Sequence, residues 1–200
     1  MNTKAKTDHP VHDLIAERWS PYSFVDRAVP ADALQSLFEA ARWAASSYNE
    51  QPWSFLLATK DDPDGFAKLL SCLVEGNQEW AQAAPVLAIG CASLKFSRNS
   101  HPNAAALHDL GQASGYLALE AAARGLAVHQ MIGILPDRVR ELFEVPEGVQ
   151  PLTALAIGYA GDPGLLPEKI RDRDAGRRPR KPLAEFVFSR KWGTTSSIVR

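Results

Sequence analysis

The chain has 200 residues, of which 46% are hydrophobic, and a formal net charge of −1. This is an ordinary globular composition, long enough for one domain with a sizeable core. A charge this close to zero argues against a dedicated nucleic-acid binder, because phosphate neutralisation needs a clustered basic surface and only the C-terminal region offers one.

No apolar run reaches the roughly 18 residues of a membrane helix. The opening "MNTKAKTDHPVHDLIAERW" lacks a long apolar core and a small-residue cleavage site, so no secretory signal is expected. Cys72 and Cys91 are the only cysteines, without CxxC spacing. Cys91 lies in "APVLAIGCAS" and reads as a buried small hydrophobe. These features predict a reduced, cytoplasmic protein with no membrane partner.

In chain order, a short helix is expected over Val11 to Arg18, ending near "WSPYSF". Pro30 and Asp32 open a second helix through Ala45, with Leu34, Leu37, Phe38, Ala41 and Ala44 at helical spacing. "WSFLLAT" (Trp53 to Thr59) reads as a strand closed by the turn residues "KDDPDG". "GFAKLLSCLV" reads as a helix and "PVLAIGCAS" as a buried strand. "HPNAAALHDLGQASGYLALEAAARGL" is the longest helical segment, with Pro102 at its start and Gly125 just beyond its end. Its alanines predict burial on most faces. Gly111 and Gly115, one turn apart, fit either tight packing within the chain or a helix–helix dimer seam. "LAVHQMI" is a third strand, "PDRVRELFEV" a helix and "PLTALAIGYAG" a fourth strand. The polar, basic segment from Leu165 is too long for an ordinary loop. Phe186, Phe188 and Trp192 near its end predict an arm that docks on another surface. The pattern as a whole is one α+β domain around a four- or five-stranded sheet.

Side-chain catalysis finds little support. His9, His12, His101, His108 and His129 show no metal-ligand spacing. No nucleophile elbow, phosphate-binding P-loop or dinucleotide fingerprint is present. His108 and Asp109 read as satisfied polar groups near a boundary. What remains is a set of hydrogen-bond and anion donors. Arg18 and Ser20 at a helix end suit phosphate oxygens, and Arg178 and Arg180 in "RRPRKP" have the same chemistry. On composition alone that basic run reads first as a solvated turn. Ser46, Ser47, Asn49 and Gln51, just before the first strand, carry donors and acceptors suited to a ring with carbonyl and N–H edges, such as a flavin. "HQMIG" could aim backbone N–H groups at such a ligand, with Gly133 permitting close approach.

These segments together resemble the nitroreductase family of FMN-dependent oxidoreductases. The resemblance runs from Arg18 to Gly193 and is most specific in "ARWAASSYNEQPWSFLLAT", which is similar to the family's Pro-Ser-Ser-x-Asn-x-Gln-Pro-Trp signature. "GNQEWAQAAPVL", "AALHDLGQASGYLALEAAARGL", "HQMIG" and "RKPLAEFVFSRKWG" follow in the same order. The resemblance implies a three-layer α/β/α sandwich with a mostly antiparallel sheet. It implies a single domain over residues 1–200, flexible over 1–10, with residues 165–200 as an arm on the partner of a homodimer. FMN would lie at the subunit interface. Arg18, Trp19 and Ser20 would meet its phosphate and ribityl region, with Arg178 and Arg180 adding phosphate contacts. Ser46, Ser47 and Asn49 would reach the partner's flavin, Gln51 the ring or ribityl hydroxyls, and Asn77 the pyrimidine edge. Gln130, Met131, Ile132 and Gly133 would line the isoalloxazine, with a backbone N–H near N5.

The chain departs from the family pattern at three places. Tyr22 stands where members commonly carry Arg or Lys, Ala45 replaces the Pro before the two serines, and Met131 and Ile132 stand where some carry Glu. The implied activity is ping-pong transfer of hydride from NADH or NADPH to a small electron-poor acceptor such as a nitroaromatic or quinone. Because the cofactor supplies the chemistry, no catalytic side chain is implied. The alternatives are another reductive flavoenzyme on the same scaffold, a flavin-binding protein without turnover, and a basic-arm nucleic-acid binder.

Overall fold

The computed structural model describes residues 4–174 and 179–199. Its centre is a four-stranded antiparallel sheet in the order β1-β2-β4-β3, formed by β1 (Trp53–Thr59), β2 (Val86–Ser93), β3 (Ala127–Met131) and β4 (Val149–Gly158). Helices cover both faces. The chain has α1 (Asp13–Glu17), α2 (Ala31–Arg42), α3 (Pro63–Leu70), α4 (Glu75–Ala81), α5 (Ala106–Ala123), α6 (Pro136–Phe143) and α7 (Glu168–Asp174).

Strand alternation builds the layers. On β2, Val86 and Ala88 face α2 and α5, while Leu87, Ile89 and Cys91 face the opposite layer with α3, α4 and α6. On β4, Leu155 and Ile157 take the first side, and Ala154 and Ala156 the second. Burial on both sides explains why these strands read as continuous apolar runs. The fold is therefore the expected mixed α+β three-layer sandwich. An irregularity between Gly90 and Cys91 sets β4 one residue out of step, at Leu152. Pro151 sits there, beyond the reach of β3, where its missing N–H interrupts no second ladder.

Several boundaries differ from the sequence expectation for local reasons. The long helix begins at Ala106, not near Pro102, because Pro102 bridges Lys95 and the Asn103 side chain accepts the Ala105 N–H. At its other end Gly125 has φ +70, the left-handed stop expected of it. Helix α3 starts earlier than expected, at Pro63, because Asp62 caps it by accepting the Gly65 N–H. Helix α4 is absent from the sequence expectation. It is seven residues long, includes Gly76 and Asn77, and is held by buried Trp80 and Ala81. Helix α7 lies in the segment expected to be aperiodic, anchored by buried Ile170 and Asp174.

The arm beyond α7 leaves Phe186 and Trp192 exposed, Trp192 at 91%. A Cβ added to Gly111 or Gly115 would meet nothing within 4 Å, so neither glycine serves tight packing inside this chain. Cys72 and Cys91 are buried free thiols, and burial pushes Cys91 up to about 11. Among the described residues, no helix is long and apolar enough to cross a membrane.

Two-sided burial makes a direct prediction. Leu87→Ala and Leu155→Ala, at fully buried positions on opposite faces of the sheet, should each cost about 2–5 kcal/mol in denaturant unfolding. A cost under about 1 kcal/mol for either would mean that its face is not closed.

Candidate functional site

The polar loop enters the sheet where Pro52 O accepts the Ser93 N–H at 2.8 Å. Before it, Tyr48, Asn49 and Gln51 adopt φ +54, +57 and +51. Left-handed backbone at non-glycine residues costs on the order of 1 kcal/mol each and persists where surrounding contacts over-determine it. Those contacts are present. The Ser47 N–H donates to Asp109 Oδ2 at 3.0 Å, and the Gln51 N–H donates to Ser46 Oγ at 3.0 Å. Gln51 Nε2 donates to Asn49 O at 3.3 Å, and the Ser97 N–H donates to Glu50 Oε1 at 2.6 Å. The loop leaves Asn49 and Gln51 beside an open cavity of about 430 Å³, shared with Arg42, Trp43, Ala44 and Ala45.

Asp109 is the residue that the sequence reading places correctly but undervalues. Its side chain is 2% exposed, and its Oδ1 lies 3.1 Å from His108 Nδ1. It is therefore a satisfied buried carboxylate, as expected, and its partner is the polar loop 62 residues away. The available signal is an acid on the helix face otherwise made of Ala106, Leu110, Ala113 and Leu117.

At the end of β3, Gln130 donates to Ser114 O on α5 at 3.1 Å, while the Met131 side chain enters the core. Ile132 is exposed. Gly133 is held by Asn77, whose Nδ2 donates to Gly133 O at 3.0 Å, and by the Val74 N–H at 3.1 Å. A Cβ on Gly133 would lie 2.5 Å from Asn77 Nδ2, so a side chain there would displace the Asn77 amide. The structure thus brings Asn77 to the "HQMIG" segment.

The third group lies beside β3. His129 Nδ1 donates to Pro21 O at 2.8 Å, and Tyr22 packs edge-on against His129 and Trp80 at 4.6 and 5.0 Å. This aromatic cluster fixes the Arg18–Trp19–Ser20 segment and engages Tyr22 as a packing group. His129 has no role in the sequence reading, because its partner is a backbone carbonyl 108 residues away. Arg18 Nη1 donates to Ser20 Oγ at 2.9 Å. Burial, and then the positive charge of Arg180, lower the Arg18 pKa from its ordinary value. Arginine nonetheless remains a cation. Arg18 and Ser20 are hydrogen-bonded neighbours, and the charge of Arg180 is felt at Arg18. A guanidinium and a hydroxyl with a second cation in electrostatic reach are donors of the kind that suit a phosphate. The Trp19 Nε1–H donates to buried Asp174 on α7 at 3.2 Å, which ties this segment to the start of the arm. Arg178 lies outside the described residues.

Sheet order separates these groups. The polar loop precedes β1 at one edge, and the Arg18 segment flanks β3 at the other. Three strand spacings put those edges about 14 Å apart. Among the described residues, no group of His, Cys, Asp or Glu could hold a metal.

Removing the Asp109 carboxylate leaves the half-buried Ser47 amide without its acceptor. Asp109→Ala should therefore speed hydrogen exchange at Ser47 and its neighbours by about tenfold or more relative to the core strands, and Asp109→Asn, which keeps one acceptor, by less. Unchanged exchange over residues 46–51 in Asp109→Ala would show that the carboxylate does not hold the loop.

The sequence profile described as the nitroreductase family matches residues 15–159. An uncharacterized 15.4 kDa protein of Mycolicibacterium smegmatis is 36% identical over 128 residues, spanning 64% of this chain and 84% of its own. A Stenotrophomonas maltophilia (strain K279a) protein, named provisionally as an NADH dehydrogenase/NAD(P)H nitroreductase, is 31% identical over 167 residues, or 74% of this chain and 84% of its own. The crystal structure of an oxidoreductase containing FMN superposes with a TM-score of 0.89 at 33% identity, covering 95% of this chain and 96% of the other. Fold, ordered motifs and these likenesses agree: the chain belongs to the nitroreductase family.

Proposed function

We propose that this chain is an FMN-dependent oxidoreductase that takes hydride from NADH or NADPH and reduces a small electron-poor acceptor such as a nitroaromatic or quinone. The observation that carries the reading is the Arg18–Ser20 donor pair with the charge of Arg180 in electrostatic reach. It is supported by the FMN-containing structure similar over nearly the whole chain and by the name of the Stenotrophomonas relative.

In this reading Arg18 and Arg180 hold the FMN phosphate, with Ser20 and the Trp19 segment beside it and Arg178 as a further cation. The exit of β3 lies along the ring. Ile132 reaches outward, Gln130 lies at the surface with its amide tied to Ser114 O, Met131 contributes backbone only, and Gly133 with Asn77 shapes the pyrimidine side. Ser46, Ser47, Asn49 and Gln51 close the pocket from the partner subunit, because the sheet holds them at the opposite edge from Arg18. Bound FMN supplies the two-electron chemistry. With a nitro acceptor, one NAD(P)H and one proton convert the nitro group to nitroso and water. One N–O bond breaks, and NAD(P)⁺ leaves. Donor and acceptor use the same open face in turn, which makes the kinetics ping-pong.

A homodimer follows from the same reading. Exposed Trp43, Ile132, Trp192 and Ile198 offer apolar surface to a second chain, and the open Gly111 and Gly115 allow a second backbone to approach. Residues 1–200 would act as one domain, with 165–200 laid as an arm on the partner.

Two experiments test the proposal. The purified protein should carry FMN, and anaerobic NADH or NADPH should bleach its visible absorbance, with parallel double-reciprocal plots against an acceptor. Asn49→Ala should lower FMN retention while the domain stays folded. Lack of bleaching by either donor would leave a flavin-binding protein without this activity, and intersecting plots would refute the shared face. Separately, the native mass should be twice the 21.8 kDa chain mass, and Gly111→Arg should give a monomer that loses flavin. A wild-type monomer that binds FMN would refute the shared site.

A further inference from the structure

The segment of residues 94–101, "LKFSRNSH", carries Lys95 and Arg98 and no acidic residue. It is fastened to the polar loop by the Ser97 N–H bond to Glu50 Oε1 at 2.6 Å. Above that clasp, the Arg98 guanidinium carbon lies 4.2 Å from the Tyr48 ring centroid and 5.2 Å from that of Phe96. The two rings meet edge-on at 5.8 Å. Among the described residues, Arg98 forms no hydrogen bond or ion pair, so its donors face outward. Tyr48 is 75% exposed and stands in left-handed backbone between Ser47 and Asn49. A bulky aromatic held outward in that conformation points to use of the ring itself.

We propose that Tyr48, Phe96 and Arg98 form an acceptor platform that selects planar aromatic molecules bearing an anionic substituent, such as a carboxylate. The proposal rests on the flavin reading above, because Tyr48 borders the residues assigned to that pocket. The acceptor ring packs beside the Tyr48–Phe96 pair, and the outward edge of the guanidinium fork takes the carboxylate in two parallel hydrogen bonds. Stacking on two rings orients Arg98 before the acceptor arrives, which reduces the ordering cost of binding. The Glu50 carboxylate nearby is the opposing charge, and its Oε1 is already engaged by Ser97. No step is added to the reduction described above; the platform governs which acceptor is held.

The test compares 4-nitrobenzoate with 4-nitrotoluene in the holoenzyme, wild type against Arg98→Ala and Arg98→Lys. The ratio of kcat/KM for the acid over the neutral acceptor should fall about tenfold or more in Arg98→Ala, through KM. It should recover in part in Arg98→Lys and narrow with added salt. A ratio unchanged within about twofold overturns the proposal. Calorimetric titration of the same proteins with 4-nitrobenzoate needs no turnover. Binding that weakens in Arg98→Ala supports the platform even if NAD(P)H fails to reduce the protein, which would count against the flavin reading alone. Equal binding by both proteins overturns the platform.

Discussion

Leu110, Ala113, Leu117 and Ala121 of α5 pack against the sheet through Ala88, Gly90, Val128 and Leu155, and this contact fixes the candidate site at both ends. At one end of the helix, Asp109 receives the Ser47 amide and so sets the polar loop. Ser114, five residues further on, receives Gln130 at the exit of β3. If α5 shifted on the sheet, both attachments would move together. The apolar face of the helix therefore does more than close the core, because it carries the positional accuracy that a ligand pocket needs.

Strain and restraint are paired in the same region. Three left-handed residues in the polar loop are disfavoured by local backbone preference alone. They are retained through contacts from α5, from the 94–101 segment and from within the loop. A second fixed region gathers the Arg18 segment by aromatic packing of Tyr22, Trp80 and His129, and joins it to α7 through Trp19 and Asp174. The charge of Arg180 acts on the Arg18 held beside this packing, an arrangement suited to an anionic ligand.

Much of this was legible in the sequence, for identifiable reasons. β1 and β2 stand out because their apolar runs end at turn residues, and α5 because its alanines and Gly125 mark its body and stop. Helix α4 was not legible, since Gly76 and Asn77 are weak helix formers and only Trp80 and Ala81 bury themselves. Helix α7 was masked by its charges. The polar loop was visible as composition, but its left-handed backbone was not, because Tyr48 and Gln51 give no local sign of it. Residues that act across long separations, Asp109 on Ser47 and His129 on Pro21, need the sheet order before they can be paired. The same order, β1-β2-β4-β3, puts the polar loop and the Arg18 segment at opposite edges, which no periodicity in the chain foretells.

That separation makes the shared pocket the central claim, and subunit mixing tests it most directly. Asn49→Ala damages the loop contribution and Arg18→Ala the phosphate contribution, so each homodimer should retain little FMN. A purified heterodimer of the two would concentrate both lesions in one pocket and leave the other intact. The account predicts that the heterodimer regains about one tightly held FMN per dimer. A heterodimer that binds no more FMN than either parent would show that loop and phosphate groups serve the same chain's pocket, and would contradict the account.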